Sequence, residues 1–286
     1  MTDIQFPTVA VLGAGTMGAG IAQVCAQAGS SVVLQDIEDA FVQKGLQRIR
    51  ESLEVGVQKQ KVTPELRDQT LARLQTTTDR VAAARGADLV IEAVPEILDL
   101  KNSLFRELAA ACRPTTVLAT NTSSLSLAKV FAGVTGPGRC LGMHFFNPPP
   151  IMKLLEVVKL DSTAAATIDA VMGYAVRLGK DPILVKDSPG FASSRLGVCL
   201  GLEAIRMLES GVASAEDIDK AMVLGYGHPM GPLKLTDLVG LDVRLAIADY
   251  LRKELDHPGF AAPELMRRMV AEGKLGKKSG QGFYKW

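Results

Sequence analysis

His144 and Glu156 are the two residues whose types and positions best fit acid–base chemistry. His144 follows a predicted strand at 139–143, and Glu156 interrupts a run at 153–159 that otherwise has the composition of a core strand. A carboxylate inside such a run is costly unless it is paired or points out of the sheet. A pair with the upstream histidine would orient the imidazole and stabilise its protonated form, as needed to remove an alcohol proton while a hydride leaves. An outward-facing or edge glutamate is the structural alternative.

A hydroxyl group that could contact the reacting oxygen follows another predicted strand. Ser123 comes shortly after residues 116–119, although helix capping explains a serine there equally well. The two other histidines fit structural positions better, since His228 lies in a Gly- and Pro-rich loop and His257 in a predicted exposed turn. We therefore expect His144 to be the acid–base residue, while the hydroxyl of Ser123 or Ser124 either hydrogen-bonds the reacting oxygen or caps a helix.

A glycine-rich turn near the start of the chain has the spacing of a dinucleotide-binding loop. Gly13-x-Gly15-x-x-Gly18 lies between the apolar run Thr8–Leu12 and a helical pattern that begins at Thr16. In such a loop the first glycine allows the tight turn, the second lets the backbone approach a pyrophosphate, and the third lets the helix pack closely. The N-terminus of the helix then offers N–H groups to the phosphates. The pattern is weak evidence alone and becomes specific between a strand and a helix.

Asp36 ends the next predicted strand, at 31–36, and its carboxylate favours NAD over NADP. A carboxylate at this place accepts hydrogen bonds from an adenosine ribose and repels a 2′-phosphate. The nearest Lys or Arg after it is Lys44, which agrees with that preference. The alternatives are a structural glycine turn beside a surface aspartate, and an FAD site, because the fingerprint is shared between the two cofactors.

Strand and helix patterns alternate through the first two thirds of the chain, as in a Rossmann-like α/β fold. Residues 39–73 depart from this alternation, because they predict two helices with a break at Thr63-Pro64 and therefore an inserted helical hairpin. We predict an NAD-binding Rossmann-like domain at 1–187 and an all-helical C-terminal domain, for substrate binding and dimerisation, at 188–286. Further strands are predicted at 88–94, 116–119, 139–143, 153–159 and 182–186, with helices at 98–112, from about 126 and at 163–178.

The composition excludes several classes of protein. The 286 residues carry 32 Lys+Arg against 31 Asp+Glu, so bulk charge does not support binding to nucleic acid or to a membrane. No stretch approaches the ~18 apolar residues of a membrane span, and Met1-Thr2-Asp3 lacks the basic start of a signal peptide. We expect a cytoplasmic protein without a metal site, since the cysteines have no paired spacing and fit reduced core thiols: Cys25, Cys112, Cys140 and Cys199.

Together these segments resemble the 3-hydroxyacyl-CoA dehydrogenase family, in particular its short-chain monofunctional members such as bacterial 3-hydroxybutyryl-CoA dehydrogenases. The resemblance runs nearly from end to end, and its motifs occur in the family's order. They are Gly13-Ala14-Gly15-Thr16-Met17-Gly18, Ile91-Glu92-Ala93-Val94-Pro95-Glu96, Asn121-Thr122-Ser123-Ser124, His144-Phe145-Phe146-Asn147-Pro148, Pro229-Met230-Gly231-Pro232, Gly240-Leu241-Asp242 and Gly276-Lys277-Lys278-Ser279-Gly280-Gln281-Gly282-Phe283-Tyr284.

The resemblance implies a role for each matching residue. The catalytic histidine falls on His144, its paired glutamate on Glu156, and the serine at the substrate hydroxyl on Ser123. Coenzyme A would contact Ser52 and Lys59 of the helical hairpin. Cofactor contacts would come from the glycine turn and from Asp36, Glu96, Lys101, Asn147 and Lys278.

One position departs from the family's pattern. Where the family often has Asn-Arg after Pro-Gly-Phe, with the Asn near the substrate, this chain has Ser194-Arg195. A serine hydroxyl makes its hydrogen bonds at shorter reach. The difference therefore concerns the substrate contacts of Ser194 and leaves the His–Glu chemistry intact.

The resemblance implies reversible NAD-dependent oxidation of an (S)-3-hydroxyacyl-CoA, such as 3-hydroxybutyryl-CoA, to the 3-oxoacyl-CoA in fatty acid metabolism. It also implies a homodimer, although the apolar helical segments at 200–208 and 239–251 fit an intradomain core equally well. One alternative is a dehydrogenase of a free sugar acid or small hydroxy acid, similar to gulonate dehydrogenases. Another is a cofactor-binding structural or regulatory protein without catalysis, against which the intact His144, Glu156 and Ser123 argue.

Overall fold

A sheet of eight strands forms the centre of the first of two structural units. The computed structural model describes residues 5–286; the first unit ends at Asp187 and the second is Ser188–Trp286. The sequence-based expectation about a signal peptide concerns Met1-Thr2-Asp3, which lies outside the described residues. The strands are β1 (Thr8–Leu12), β2 (Ser31–Gln35), β3 (Leu74–Thr77), β4 (Leu89–Glu92), β5 (Val117–Thr120), β6 (Cys140–Phe145), β7 (Leu154–Lys159) and β8 (Asp181–Lys186).

The strand order is β3-β2-β1-β4-β5-β6-β7-β8, and the strands from β3 to β6 pair in parallel. β7 runs antiparallel to β6, and β8 runs parallel to β7. After β1 the chain adds β2 and β3 on one side of the sheet, and with β4 it begins to add strands on the other side. The direction in which strands are added therefore reverses between β1 and β4. Ligands of open α/β sheets bind at the carboxyl ends of the strands beside this reversal. The predicted Rossmann-like fold is confirmed, and the glycine turn after β1 lies at the reversal.

The central strands are buried along their whole length. Every residue of β4, β5 and β6 is buried, as are the last four of β1. Strands covered on both faces have continuous rather than alternating apolar sequences, which is why these runs could be recognised. The helices of this unit are α1 (Thr16–Gln27), α2 (Asp39–Gln58), α3 (Pro64–Ala72), α4 (Arg80–Arg85), α5 (Leu98–Ala111), α6 (Leu127–Val130) and α7 (Ala165–Arg177).

The helical hairpin is formed by α2 and α3, with its break where the sequence predicts it. Thr63 caps α3 by accepting a hydrogen bond from the backbone N–H of Leu66 at 3.2 Å, and Pro64 occupies the first turn. Two short elements that follow the hairpin were not predicted. β3 is the edge strand beside β2 and its residues are half-buried or exposed, so it lacks an apolar pattern. α4 has six residues, too few for a helical period to be recognised.

The second unit is helical, as expected from its sequence. Buried side chains from all five of its α-helices form the core, among them Val198, Ile218, Leu233, Leu251 and Met266. Among the described residues, none of the helices is both long enough and apolar enough to cross a membrane. The helices are α8 (Ser193–Glu209), α9 (Ala215–Tyr226), α10 (Pro232–Val239), α11 (Leu241–Leu255) and α12 (Glu264–Ala271), with short 3₁₀ helices at Pro258–Phe260 and Lys277–Ser279.

Two buried aspartates contact two of the motifs in this second unit. Asp219 accepts a hydrogen bond from the backbone N–H of Leu233 at 2.8 Å, and a Cβ on Gly231 would lie 2.3 Å from its Cγ. Asp237 accepts a hydrogen bond from the backbone N–H of Phe283 at 2.9 Å. The Pro-Met-Gly-Pro motif and the closing Gly-Gln-Gly-Phe-Tyr motif therefore hold the backbone of this unit together.

Three of the four cysteines are buried, but the prediction of a core thiol is wrong for Cys199. This residue is exposed on α8, between the buried side chain of Val198 and the half-buried Leu200. Val198 and Leu202 are four residues apart and take the core-facing side of the helix. Cys199, the residue directly after Val198, consequently faces outward.

Candidate active site

His144 and Glu156 form a buried pair across two neighbouring strands. The antiparallel register of β6 and β7 sets them directly opposite each other, and Nδ1 of His144 lies 2.7 Å from Oε2 of Glu156. Glu156 is fully buried and His144 is 6% exposed. The outward-facing alternative for Glu156 is therefore wrong. A carboxylate at this distance fixes the ring orientation and stabilises the imidazolium form.

His144 opens onto a cavity of about 340 Å³ at the carboxyl edge of the sheet. Asn121 secures this edge, because its Oδ1 accepts a hydrogen bond from the backbone N–H of Phe145 at 2.8 Å. The ring of Phe146 packs against that of His144 with 4.5 Å between centroids. Predicted site residues from four segments share the lining of this cavity, namely Met17, Glu96, Lys101, Ser123, His144 and Asn147.

The glycine turn has the close approaches that its spacing predicts. Gly13 has a φ of +97°, and a Cβ there would lie 2.6 Å from the carbonyl oxygen of Ala93. A Cβ on Gly18 would lie 1.7 Å from the carbonyl oxygen of Gly13, so only glycine allows α1 to begin this close to the turn. Gly15 differs, since nothing lies within 4 Å of its Cβ position. This open space, in front of the N-terminus of α1, is where a pyrophosphate fits.

Asp36 holds the turn from the end of β2. Its Oδ2 accepts a hydrogen bond from the backbone N–H of Ala14 at 2.7 Å, and its Oδ1 accepts one from the N–H of Ile37 at 2.7 Å. Each carboxylate oxygen has capacity for a further hydrogen bond. The side chain is therefore oriented beside the turn and able to accept from the two hydroxyls of a ribose.

Lys101, a predicted cofactor contact, is almost completely buried and binds two carboxylates. Its Nζ lies 2.6 Å from Oε1 of Glu92, 3.1 Å from Oε2 of Glu96 and 3.2 Å from the carbonyl oxygen of Val94. The three N–H groups of the ammonium therefore have three acceptors within the protein. Lys101 thus positions Glu92 and Glu96, and its direct contact with a cofactor stays a prediction.

Glu92 is the residue of this cluster that sequence reasoning missed. It is fully buried at the end of β4, where Thr120 Oγ1 donates to its Oε2 at 2.6 Å and the backbone N–H of Val94 donates to Oε1 at 2.7 Å. Burial raises the pKa of Glu92, and the contacts with Lys101 and Thr120 oppose this. The available signal was a carboxylate inside an apolar strand, the same signal that identified Glu156.

Glu96 shapes the loop that carries Ser123. It accepts a hydrogen bond from the backbone N–H of Ser123 at 3.0 Å and a short one from the hydroxyl of Thr122. The Ser123 hydroxyl lies 3.4 Å from the same carboxylate oxygen. The ion pair between Glu96 and Lys101 therefore links the loop after β5 to α5.

The hairpin residues Ser52 and Lys59 line a second cavity of about 540 Å³. A smaller cavity of about 230 Å³ connects the hairpin cavity to the cavity at His144. It shares Ser52 with the hairpin cavity and Asn147 with the cavity at His144. Arg48 and Lys61 add positive charge to the 540 Å³ cavity. The predicted catalytic and coenzyme A residues of the first unit are thus joined by a row of cavities.

Two predicted site residues belong to the second unit. Ser194 lies in the first turn of α8 and is half-buried. The Nζ of Lys278 lies 2.6 Å from a carboxylate oxygen of Asp242, which lies in the first turn of α11. Their predicted contacts with substrate and cofactor stay predictions.

Known protein families match both units of the chain. Residues 8–188 match the family model described as "3-hydroxyacyl-CoA dehydrogenase, NAD binding domain", and residues 190–286 match "3-hydroxyacyl-CoA dehydrogenase, C-terminal domain". The 3-hydroxybutyryl-CoA dehydrogenase of Mycobacterium tuberculosis is 46% identical over 280 residues, which cover 96% of this chain and 97% of that protein. The mitochondrial hydroxyacyl-coenzyme A dehydrogenase of Rattus norvegicus is 44% identical over 284 residues, which cover 97% of this chain and 90% of that protein.

A solved structure extends the similarity to three dimensions. The (S)-3-hydroxybutyryl-CoA dehydrogenase from Ralstonia eutropha matches with a TM-score of 0.94 at 42% identity, over 98% of this chain and 99% of that one. The first unit is an NAD-binding domain, so the FAD interpretation of the glycine turn is wrong. On the matches to both of its units and on identities above 40%, this chain belongs to the 3-hydroxyacyl-CoA dehydrogenase family.

Proposed function

We propose that the protein oxidises short-chain (S)-3-hydroxyacyl-CoA esters, such as 3-hydroxybutyryl-CoA, to 3-oxoacyl-CoA esters with NAD, and catalyses the reverse reaction, in fatty acid metabolism. The observation that carries the proposal is the buried His144–Glu156 pair, which opens onto the cavity that Met17 of the glycine turn also lines. Such a pair provides a general base beside a dinucleotide site. An alcohol dehydrogenation needs both of these at one place.

The proton steps follow from the geometry of the pair. Glu156 engages Nδ1, so Nε2 is the ring nitrogen that accepts the proton of the substrate hydroxyl. The buried carboxylate stabilises the imidazolium that results, and in the reverse direction the imidazolium returns the proton. The Ser123 hydroxyl, which lines the same cavity, hydrogen-bonds the reacting oxygen. Bound NAD supplies the hydride acceptor.

Coenzyme A lies, in this proposal, along the row of cavities beside α1. Thr16 lines the 230 Å³ cavity on the side of His144, and Gln27 lines the 540 Å³ cavity at the hairpin. The twelve residues of α1 from Thr16 to Gln27 span about 18 Å at 1.5 Å per residue. An extended phosphopantetheine arm has a comparable length. Ser52 and Lys59 would then contact the coenzyme well away from the reacting carbon.

A basic cavity of about 380 Å³ continues the row and suits the phosphate groups of the coenzyme. It shares Lys61 with the hairpin cavity, and its described lining adds Lys153, Arg177 and Lys180 without a carboxylate. Burial and the neighbouring Lys153 lower the pKa of Lys180. A bound phosphate would relieve the repulsion between these cations.

The second unit contributes three further parts of the proposal. Ser194 contacts the substrate, Lys278 contacts the cofactor, and the chain forms a homodimer. Large apolar side chains on this unit support the dimer, since Leu196, Leu224 and Tyr226 are between 71% and 78% exposed. Sedimentation that shows only monomer at micromolar concentration would contradict it. We also place the protein in the cytoplasm, on its composition and on cysteines without paired spacing.

The deciding experiment follows NADH formation from (S)-3-hydroxybutyryl-CoA, with longer acyl chains, NADP and free gulonate measured in parallel. We expect turnover with the CoA ester and NAD, and a large loss in the His144→Ala variant. Activity on gulonate with none on the CoA esters would instead assign the protein to the sugar-acid dehydrogenases. NAD binding without turnover of any of these substrates would favour the non-catalytic alternative.

A further inference from the structure

Gln23 is a buried amide side chain that lines two cavities of the first unit. It lies on α1 and is 3% exposed, yet it borders both the cavity of about 230 Å³ and the hairpin cavity. Its Nε2 lies 3.5 Å from Oε1 of Gln27, beyond the usual hydrogen-bond range, and among residues 5–286 its amide has no other partner. A glutamine amide has two N–H donors and a carbonyl oxygen that accepts twice. Most of this capacity is therefore left for an occupant of the cavities.

The wall around Gln23 is mostly apolar. Ala19 and Gly20 of α1 line the smaller cavity together with Ile49 of α2. Gly20 precedes Gln23 by three residues on the same face of the helix, and a Cβ on Gly20 would lie 2.7 Å from Cδ of Pro149. The helix therefore packs closely against the loop after β6 just before Gln23. A few polar groups in a mostly apolar site are what fixes the orientation of a small-molecule ligand.

The distribution of charge along the cavities indicates which part of an acyl-CoA lies beside Gln23. Lys59 and Lys61 line the hairpin cavity, and the described lining of the smaller cavity contains neither. Arg48 lines both cavities, and its Nη1 donates to the carbonyl oxygen of Ala14 at 3.3 Å. Positive charge is thus concentrated at the hairpin, which suits phosphates. A neutral amide suits a neutral part of the ligand.

The neutral part of a CoA thioester between its phosphates and its sulfur is the pantetheine arm, which contains two secondary amides. Each of them has one N–H donor and one carbonyl acceptor, so a glutamine amide complements either one. Gln23 lies about 10 Å along α1 from Thr16 at 1.5 Å per residue, between the reacting end and the hairpin. We propose that Gln23 hydrogen-bonds an amide of the pantetheine arm, so that the protein recognises the arm itself. This rests on the proposed function.

The test follows NADH oxidation with acetoacetyl-CoA, with acetoacetyl-pantetheine, which keeps both amides and lacks the phosphates, and with the S-ethyl thioester, which lacks the arm. In Gln23→Met, which has an apolar side chain of similar size, the KM for the first two should rise by about three- to tenfold, as for a lost neutral hydrogen bond. The kcat, the KM for NADH and the kcat/KM for the S-ethyl thioester should stay within about twofold, the pattern of lost substrate binding.

A second apolar variant, Gln23→Leu, should give the same pattern. The matched control is Gln43→Met, which replaces an exposed glutamine on α2 and should leave all of these values unchanged.

Each contrary outcome has one meaning. An unchanged KM for acetoacetyl-pantetheine in both Gln23 variants would show that water satisfies the amide, and it would overturn the proposal while the proposed function stands. A rise confined to acetoacetyl-CoA would assign Gln23 to the phosphate end and likewise overturn it. An equal loss with the S-ethyl thioester, or a changed KM for NADH, would indicate a general disturbance of α1 and also overturn it. A wild type inactive on acetoacetyl-CoA contradicts the proposed function itself.

Discussion

Glu156 lies directly across the β6–β7 pair from His144, with its Oε2 2.7 Å from Nδ1. The carboxylate has no exposed surface, so solvent does not screen its charge from the imidazole. This relationship combines an orienting hydrogen bond with a nearby negative charge. In the proposed reaction His144 is the general base, and the pair predicts separate effects for changes to either residue.

Replacing Glu156 by Gln should lower kcat while leaving NAD affinity nearly unchanged. The amide keeps the size of the side chain but no longer stabilises an imidazolium, and general-base catalysis contributes roughly 10²–10⁴-fold. The His144→Ala variant should lose kcat by a factor in the same range or by a larger one. Steady-state kinetics with 3-hydroxybutyryl-CoA, together with NAD titration by fluorescence, would measure both effects. A Glu156→Gln enzyme with wild-type kcat would contradict the role of the pair.

Ser194→Ala provides the comparison for the second unit. We expect it to cost less activity than His144→Ala, because a single hydroxyl contact contributes less than the acid–base group. Its effect should be mainly on KM. The opposite ranking of the two variants would show that substrate positioning by α8 dominates the reaction.

The glycine turn gives a matched pair of variants with opposite expectations. Gly15→Ala should fold with a Tm close to wild type, since its Cβ would enter open space, but should weaken NAD binding by about tenfold or more, or about 1.4 kcal/mol. Gly18→Ala should lower stability by roughly 1–3 kcal/mol or more, because its Cβ would overlap the carbonyl of Gly13. Thermal unfolding with and without NAD separates the two effects. Equal behaviour of the two variants would refute this division of roles.

Asp36→Asn should raise the KM for NAD by roughly tenfold to a hundredfold, the range expected when a hydrogen bond to a charged acceptor is lost. The discrimination against NADP should shrink at the same time, since repulsion of the 2′-phosphate disappears. Asp39→Asn removes an exposed charge in the first turn of α2 and is the control. An unchanged ratio of NAD to NADP activity in Asp36→Asn would argue against ribose recognition by this residue.

Lys101→Met should destabilise the first unit strongly. It would leave the buried Glu92 without its cation, and breaking a buried ion pair typically costs about 3–5 kcal/mol. A fall in Tm of roughly 10 °C is expected for a domain of this size. Lys44→Met, at an exposed site on α2, should change stability by about 0.5 kcal/mol or less. A Lys101→Met protein as stable as the control would disprove the positioning role.

The thiols should differ sharply in reactivity. Burial raises the pKa of Cys25 to about 12 and that of Cys140 to about 11, so neither forms much thiolate at pH 8. Burial also raises the pKa of Cys112, and only Cys199 is exposed. A thiol reagent should therefore modify Cys199 first in the native protein and the other three only in denaturant. Rapid modification of a Cys199→Ser variant would contradict this.

Local patterns of the sequence were sufficient for much of the fold. The glycine turn between β1 and α1, the apolar central strands and the Thr63-Pro64 break all depend on residues close together in the chain. β3 was missed because an edge strand with half-buried residues has no apolar run to recognise. The prediction that Cys199 is a core thiol was also wrong, since the residue type alone does not tell which side of a helix faces the core.

The sequence by itself determined the family, the Rossmann-like class and the identity of the chemically capable residues. Only the tertiary structure decided how those residues pair. A slip of one residue between β6 and β7 would turn Glu156 away from His144, and no local pattern specifies that register. The same holds for the ion pair of Glu92 with Lys101. Burial and pairing of charges depend on contacts between segments distant in the chain, which only the folded structure brings together.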